Sequence, residues 1–387
     1  MPWKETSAMD ERVKLIGDYL EEQISITQLG QIYGISRKTI YKWIGRYHDQ
    51  GIDGIKDRSR APRSHPNTTR IDIIEMIVKE KLNHQHWGPK KILASLQTQS
   101  LETPWPAVST VGEILKCQGL VKPRHLRHHT PKYSEPFLSC QGPNSVWSAD
   151  FKGQFRMGDK RMCYPLTLTD NYSRYLLVCR GLRRTTAEAT RPWLEWAFRE
   201  YGLPRAIRTD NGSPFASVAL GGLSQLAVWL IKLGIRPERI ESGHPEQNGR
   251  HERMHRTLKE ETIKPPQKDM LRQQHAFDRF AQEYNYHRPH EALGQKTPAS
   301  VYEPSPVSYP VRLPDVEYAS HITVRQVRHN GDIKWKGKMI YVSQTLAGEP
   351  VGLLQVGEDL WQINFSFHHL GTLNERTLKI IPTKGIV

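Results

Sequence analysis

Val146-Trp147-Ser148-Ala149-Asp150-Phe151 sets the reading of the middle of this chain. Trp147, Ala149 and Phe151 fall on one side of an extended backbone, with Ser148, Asp150 and Lys152 on the other. That period of two marks a half-buried strand, here spanning residues 145–155. Asp150 lies within it among apolar neighbours, where an unpaired carboxylate is costly. Two further apolar strands follow, Cys163 to Thr169 and Tyr175 to Leu182, joined through turn residues Asp170-Asn171-Tyr172-Ser173. Next come a helix over Thr186 to Tyr201 and a short strand, Arg205-Ala-Ile-Arg-Thr-Asp210. A helix over Leu223 to Leu233, a strand over Arg236 to Ile240 and a long polar helix from Pro245 to about Glu261 complete the region. This order is a mixed α/β pattern.

Three acids stand out by position. Asp150 is inside a strand, and Asp210 ends one, where open α/β sheets place ligands. Glu252 is carried by the helix after Gly243-His244-Pro245, on a face shared with Asn248 and His255. Converging carboxylates form a hard-oxygen site suited to Mg2+ or Mn2+. Spacing alone leaves convergence open, since acids in strands are commonly salt-bridged or exposed. Asp170 reads as a turn cap, and Glu246 as a first-turn acid favoured by the helix dipole.

Upstream, Ser25-Ile-Thr-Gln-Leu-Gly-Gln-Ile-Tyr-Gly-Ile-Ser-Arg-Lys-Thr-Ile-Tyr-Lys-Trp43 has helix-turn-helix grammar. Thr27 is expected to cap the first helix, with Leu29 and Ile32 inward. Gly34 makes the turn and Ser36 caps the second helix, where Ile40 and Trp43 pack inward. Arg37, Lys38, Tyr41, Lys42 and Arg46 are then free for DNA phosphates and base edges, with Val13 to Glu22 as a preceding helix. A second helical unit spans residues 69–121, with Ile71 to Leu82 amphipathic, Pro89 opening a helix and Ser109 capping another. It reads equally as a DNA-reading module or as a packing or dimerisation bundle.

The domain plan is residues 1–55 helix-turn-helix, 56–68 basic linker, 69–121 second helical unit, 122–140 basic linker, 141–303 α/β core and 304–387 β-domain. In the last, five short strands are expected: Ile322 to Val327, Asp332 to Trp335, Lys338 to Val342, Val351 to Val356 and Leu360 to Phe365. Asn330-Gly331 marks a hairpin between the first two. They form a small β-barrel whose Arg325, Arg328, Lys334, Lys336 and Lys338 offer a DNA-facing edge or merely a packing face.

Charge agrees with a polyanionic partner. The 387 residues carry 55 Lys and Arg against 40 Asp and Glu, a net charge of +15. The excess is local: residues 31–70 hold 9 basic against 3 acidic groups, and Lys122 to Lys132 contains no acid. Such strips displace counterions from phosphates and make binding salt-dependent. The four cysteines form neither a disulfide framework nor a CxxC metal pair. There is no signal-peptide core and no window of about 18 apolar residues. These features exclude a membrane span, a disulfide-rich secreted scaffold and collagen, and give the expectation of a soluble cytoplasmic protein.

The blocks Val146 to Asp150, Arg208-Thr-Asp-Asn-Gly-Ser-Pro-Phe215 and Gly243-His-Pro-Glu-Gln-Asn-Gly-Arg-His-Glu-Arg253 resemble the signature blocks of the DDE integrase/transposase superfamily. Tyr286-His-Arg-Pro-His-Glu-Ala-Leu-Gly-Gln-Lys-Thr-Pro298 is similar to the block that closes such cores. The layout resembles bacterial insertion-sequence transposases of the IS481 type, close to the IS3 group. One departure is the 41 residues between Asp210 and Glu252, more than in the common form, with the excess expected at Ala216 to Gly222.

The resemblance implies a multidomain protein with all-α helix-turn-helix modules, an RNase H-like integrase core and an SH3-like C-terminal barrel. It implies Asp150, Asp210 and Glu252 as catalytic, metal-binding acids with two Mg2+ or Mn2+ ions, and Arg253, Arg256 and Lys259 as phosphate contacts. The implied activity is phosphodiester hydrolysis at the ends of a mobile element followed by 3′-OH strand transfer. The implied partners are terminal inverted repeats, target DNA and further copies of the chain, with no membrane or small-molecule substrate, at the bacterial nucleoid. A non-catalytic DNA-binding regulator and a plain RNase H-type nuclease are the alternatives.

Overall fold

The computed structural model describes residues 7–60, 68–121, 140–210, 212–215, 217, 219–240 and 249–382. The basic strip Lys122 to Lys132, Asn248, His244 and Glu246 lie outside them. The chain divides into two compact units, Met1–Thr69 and Arg70–Val387.

The first unit is a three-helix bundle of α1 (Ala8–Leu20), α2 (Ile26–Tyr33) and α3 (Arg37–Gln50). Its core is Leu15, Ile16, Leu29, Ile40, Trp43, Ile44 and Ile55. The turn between α2 and α3 uses Gly34 at φ 62°, a conformation that costs a residue with a Cβ. Ser36 caps α3 through the Thr39 amide. Two expectations for α2 need correction. Ser25, not Thr27, is its cap, in a reciprocal box with Gln28. Ile26, Leu29 and Tyr33 turn inward, and Ile32 is 61% exposed.

The second unit opens with α4 (Ile71–Asn83), α5 (Pro89–Gln99) and α6 (Val108–Cys117), closed around Ile77, Trp87, Ile92, Val111 and Leu115. Pro89 opens α5, but α6 begins at Val108 with no side-chain cap, so Ser109 lies inside the helix. This bundle rests on the α/β core. His84 stacks on Trp87 at 3.8 Å and its Nδ1 is 2.9 Å from Glu283 Oε1, while Lys90 pairs with Glu291 at 2.6 Å.

The core sheet contains β1 (Val146–Phe151), β2 (Phe155–Arg156), β3 (Met162–Asp170), β4 (Leu176–Leu182), β5 (Ala206–Thr209) and β6 (Arg236–Arg239). The strand expected over residues 145–155 is thus two, parted where Gly153 takes φ 79°. The main order is β4-β3-β1-β5-β6, with β2 extending the hairpin beside β3. β1 and β3 run antiparallel, whereas β1, β5 and β6 run parallel, the mixed sheet expected of an integrase core. Helices α7 (Ala187–Tyr201), α8 (Gln225–Lys232), α9 (Gly249–Leu258) and α10 (Met270–Tyr286) surround it. Trp147, Ala149, Leu166, Leu168, Phe198 and Trp229 share the central cluster, so the apolar face of β1 is the inward one.

Among the described residues the C-terminal region has seven strands, not five: β7 (Thr323–Gln326), β8 (Asp332–Trp335), β9 (Lys338–Tyr341), β10 (Pro350–Gln355), β11 (Leu360–Phe365), β12 (His368–Asn374) and β13 (Lys379–Pro382). They form an antiparallel sheet β13-β12-β11-β10-β7 and a separate β8-β9 hairpin. No closed barrel is present among the described residues. Asn330-Gly331 is a corner: β7 pairs with β10, and β8 turns onto β9 through Lys336 and Gly337, both at positive φ. β12 escapes the sequence reading because the β11–β12 turn uses Ser366 at φ 52° in place of a glycine or asparagine. This domain shares its core with α8, since Leu223, Ala227, Val228 and Ile231 pack with Leu346, Val351, Phe365 and Leu370. Leu220–Gly222, in the loop expected to hold the extra length, forms a short 3-10 turn, and its Gly221 carbonyl lies 3.4 Å from His368 Nε2 on β12. No helix among the described residues is long and apolar enough to cross a membrane.

Candidate active site

Strand pairing places two of the three acids. Ala149 of β1 is the register partner of Thr209 of β5, and the strands run parallel. The next residue on each is Asp150 and Asp210, so two carboxylates leave neighbouring strands, roughly 4.8 Å apart, in the same phase. Asp150 has a side chain 16% exposed and Asp210 is exposed, accepting the Gly212 amide at 3.1 Å. Both offer only oxygen, the donor set that fits Mg2+ or Mn2+.

Glu252 is exposed on the first turn of α9. Its helix is seated by two neighbours, His251 and His255, which bury their rings against β3. Thr167 Oγ1 lies 2.7 Å from both His251 Nε2 and His255 Nε2 and donates to the Asp150 carbonyl at 3.1 Å. Thr169 Oγ1 contacts His251 Nδ1 at 3.0 Å. Burial, aided by the Lys152 charge, lowers the His251 imidazole to about 3. Burial, then His251 and Lys152, lower His255 as well, so both rings are neutral.

Among the described residues the one group of three possible donors within 4.8 Å is Asp150, His251 and His255. The Asp150–Asp210–Glu252 trio is not gathered at that distance. The face shared by Glu252 and His255 is divided, because α9 turns His255 onto the sheet and Glu252 outward. The histidine–threonine contact has a sequence signal in the four-residue spacing of His251 and His255 and the two-residue spacing of Thr167 and Thr169. Nothing local says that the two pairs face each other.

Asp170, read as a turn cap, accepts from Ser173 N and Oγ and from the Asn144 amide. Burial raises its carboxyl against those hydrogen bonds. Arg37, Lys38, Tyr41 and Lys42 are exposed along α3, while Arg46 is half-buried with its guanidinium 5.0 Å from the Trp43 ring centre. Arg253 and Arg256 are exposed on α9, and Lys259 on the π-turn that follows. Arg325, Arg328, Lys334, Lys336 and Lys338 are all exposed.

Family models described as "Integrase core domain" match residues 141–245 and 233–298. A helix-turn-helix domain model matches residues 11–63 and a homeodomain-like domain model residues 39–115. The chain is 30% identical over 162 residues to an uncharacterized 31.7 kDa protein of insertion element IS407 from Burkholderia multivorans, covering 41% of this chain and 54% of that protein. It is 30% identical over 169 residues to a 39.2 kDa protein of insertion element IS476 from Xanthomonas euvesicatoria, covering 43% and 46%. The Koala retrovirus Gag-Pol polyprotein is 29% identical over 184 residues, covering 46% of this chain and 10% of that one. The chain thus spans about half the length of the insertion-element proteins and a tenth of the polyprotein. A chain of the simian T-cell lymphotropic virus intasome complex with PP2A regulatory subunit B56 gamma aligns at 20% identity and TM-score 0.38, over 79% of this chain and 96% of that one. Residues 141–298 therefore match integrase-core domains, with matches to helix-turn-helix and homeodomain-like domains ahead of them, and the chain is similar over part of its length to insertion-element and retroviral proteins.

Proposed function

We propose that the chain is a transposase that binds the terminal inverted repeats of its own element, hydrolyses a phosphodiester at the element end and joins the freed 3′-OH to target DNA. The observation that carries this reading is the placement of Asp150 near the end of β1 and Asp210 just past the end of the adjacent parallel strand β5, in a region that matches an integrase core. Glu252, one helix away, is the third acid of the assignment.

Asp150, Asp210 and Glu252 would hold two Mg2+ or Mn2+ ions, whose chemistry is to activate the attacking oxygen and neutralise charge on the phosphate. The protein's own groups supply position. Exposed Arg253 and Arg256 follow Glu252 along α9, with Lys259 on the turn after it, where they would grip phosphates beside the acids. Arg37, Lys38, Tyr41 and Lys42 would enter a major groove from α3, with Trp43 holding Arg46 at the groove edge. Strand transfer needs two element ends held together, so the working form is an oligomer on DNA. Such a protein acts at the nucleoid.

The test uses a plasmid carrying the DNA that natively flanks the gene, incubated with wild-type protein and with Asp210→Asn, in Mg2+ and in EDTA. Mapped 3′ ends and joined products at the element ends, lost in the variant and in EDTA while binding persists, are the expected result. Tight, salt-sensitive binding with intact DNA would instead mark a DNA-binding regulator. Cutting without joining would mark a plain nuclease.

A further inference from the structure

Proton accounting around Thr167 fixes the tautomers of the two buried histidines. The Thr167 hydroxyl has one hydrogen and three partners: the Asp150 carbonyl at 3.1 Å and the Nε2 atoms of His251 and His255, each at 2.7 Å. A carbonyl only accepts, so every contact is satisfied when the hydroxyl donates to Asp150 and both Nε2–H groups donate to the hydroxyl. His251 then accepts at Nδ1 from the Thr169 hydroxyl, 3.0 Å away, and both of its nitrogens are committed. His255 differs. Its Nε2 carries the proton, and its Nδ1 lone pair is turned toward Asp150 Oδ2 at 3.8 Å, beyond hydrogen-bond reach.

A lone pair facing a carboxylate oxygen is two electron donors aimed at one space. They are 3.8 Å apart, and two ligands of one ion, bonded at roughly 2.1 Å each, stand about 3 to 3.5 Å apart. A small side-chain adjustment closes the difference. The His255 ring is 4% exposed and is fixed by Thr167, so its aim is set before any ion arrives, as a fixed tautomer requires.

We propose that His255 Nδ1 is a ligand of the ion held by Asp150, which makes this a mixed oxygen–nitrogen site that takes Mn2+ in preference to Mg2+. This inference rests on the carboxylate assignment made above and adds a residue to it. Mg2+ favours all-oxygen sites with retained water, whereas imidazole binding strengthens along the transition-metal series.

The test is pulsed electron paramagnetic resonance of Mn2+ bound to the full-length chain, with Mn2+ and Mg2+ affinities from titration calorimetry. Wild-type protein is expected to show nitrogen modulation that shifts on 15N-histidine labelling and vanishes in His255→Ala. The variant should lose about tenfold or more in Mn2+ affinity, the scale of a perturbed metal shell, and less than about threefold for Mg2+. The wild-type spectrum needs no variant, so a His255→Ala chain that fails to fold leaves the test standing. Asp150→Asn separates the two assignments. If it abolishes Mn2+ binding while the wild-type signal lacks nitrogen coupling, or if coupling survives in a folded His255→Ala, the His255 ligand is overturned. If Mn2+ binding is undiminished in Asp150→Asn, the carboxylate assignment itself fails.

Discussion

Thr167→Val removes one oxygen at the point where β1, β3 and α9 meet. Valine keeps the shape and loses the hydroxyl, which the structure engages with the Asp150 carbonyl, His251 Nε2 and His255 Nε2. The two histidine contacts are buried and the Asp150 carbonyl contact is partly so, and a buried polar group left without a partner costs about 1–3 kcal/mol. The two ring nitrogens, with partial relaxation of the rings, predict a loss of about 2–4 kcal/mol. Thr169→Val is the matched control. It removes a single contact, His251 Nδ1 at 3.0 Å, and predicts about 1–2 kcal/mol. Urea unfolding followed by tryptophan fluorescence reports on this region because Trp147 and Trp229 lie in the core cluster. Equal denaturant slopes for wild type and variant would license the comparison. A Thr167→Val loss below about 1 kcal/mol, or one no larger than for Thr169→Val, would mean the hydroxyl is not the hub of the network. The tautomer argument for His255 would fall with it.

The α2 cap is testable by a pair: Ser25→Ala should lower the stability of the N-terminal unit by about 1 kcal/mol, while Thr27→Ala stays near neutral in the same melt. His290 is lowered to about 3 by burial, with Lys91 and Arg288 adding to it. Its folded value is below the unfolded one near 6.5, so the unfolded chain binds the proton first. Stability is therefore full above pH about 6.5 and declines from there toward pH 3, and His290→Gln should flatten part of that slope in pH-dependent unfolding. For DNA binding, Lys38→Ala with Lys42→Ala should weaken affinity across all sequences and reduce the log–log salt slope by about 1–2 in a fluorescence titration. An unchanged slope would remove α3 from the interface.

Local rules carried much of this protein. The alternation in Val146 to Phe151 gave a strand with Trp147 and Ala149 inward; Gly34 and Ser36 gave the turn and the second cap of the helix-turn-helix; Pro89 gave the start of α5. Each depends on residues within one turn of each other, so the sequence holds the whole cause. Where two local signals competed, the outcome was set by a third contact. Ser25 and Thr27 can both cap, and the reach of Gln28 back to Ser25 selects the first. Asn330-Gly331 has the chemistry of a hairpin, yet β7 finds β10, because a corner between two sheets needs the same positive φ.

The sequence by itself determined the order of the main helices and strands of the core, the bundle before it, and which acids lie in or just after strands. It could not determine what those acids face. Asp150 and Asp210 come side by side because β1 and β5 pair in parallel across some sixty residues of chain, a choice made by burial of both sheet faces. Glu252 turns outward and His255 inward because α9 is rolled by His251 and His255 seating on Thr167. The β-domain docks on α8 through Val228 and Ile231, residues that read locally as the buried side of any helix. These are distances between residues far apart in sequence, fixed by how apolar faces and buried polar groups are satisfied together, and only the folded chain brings them within reach of one another.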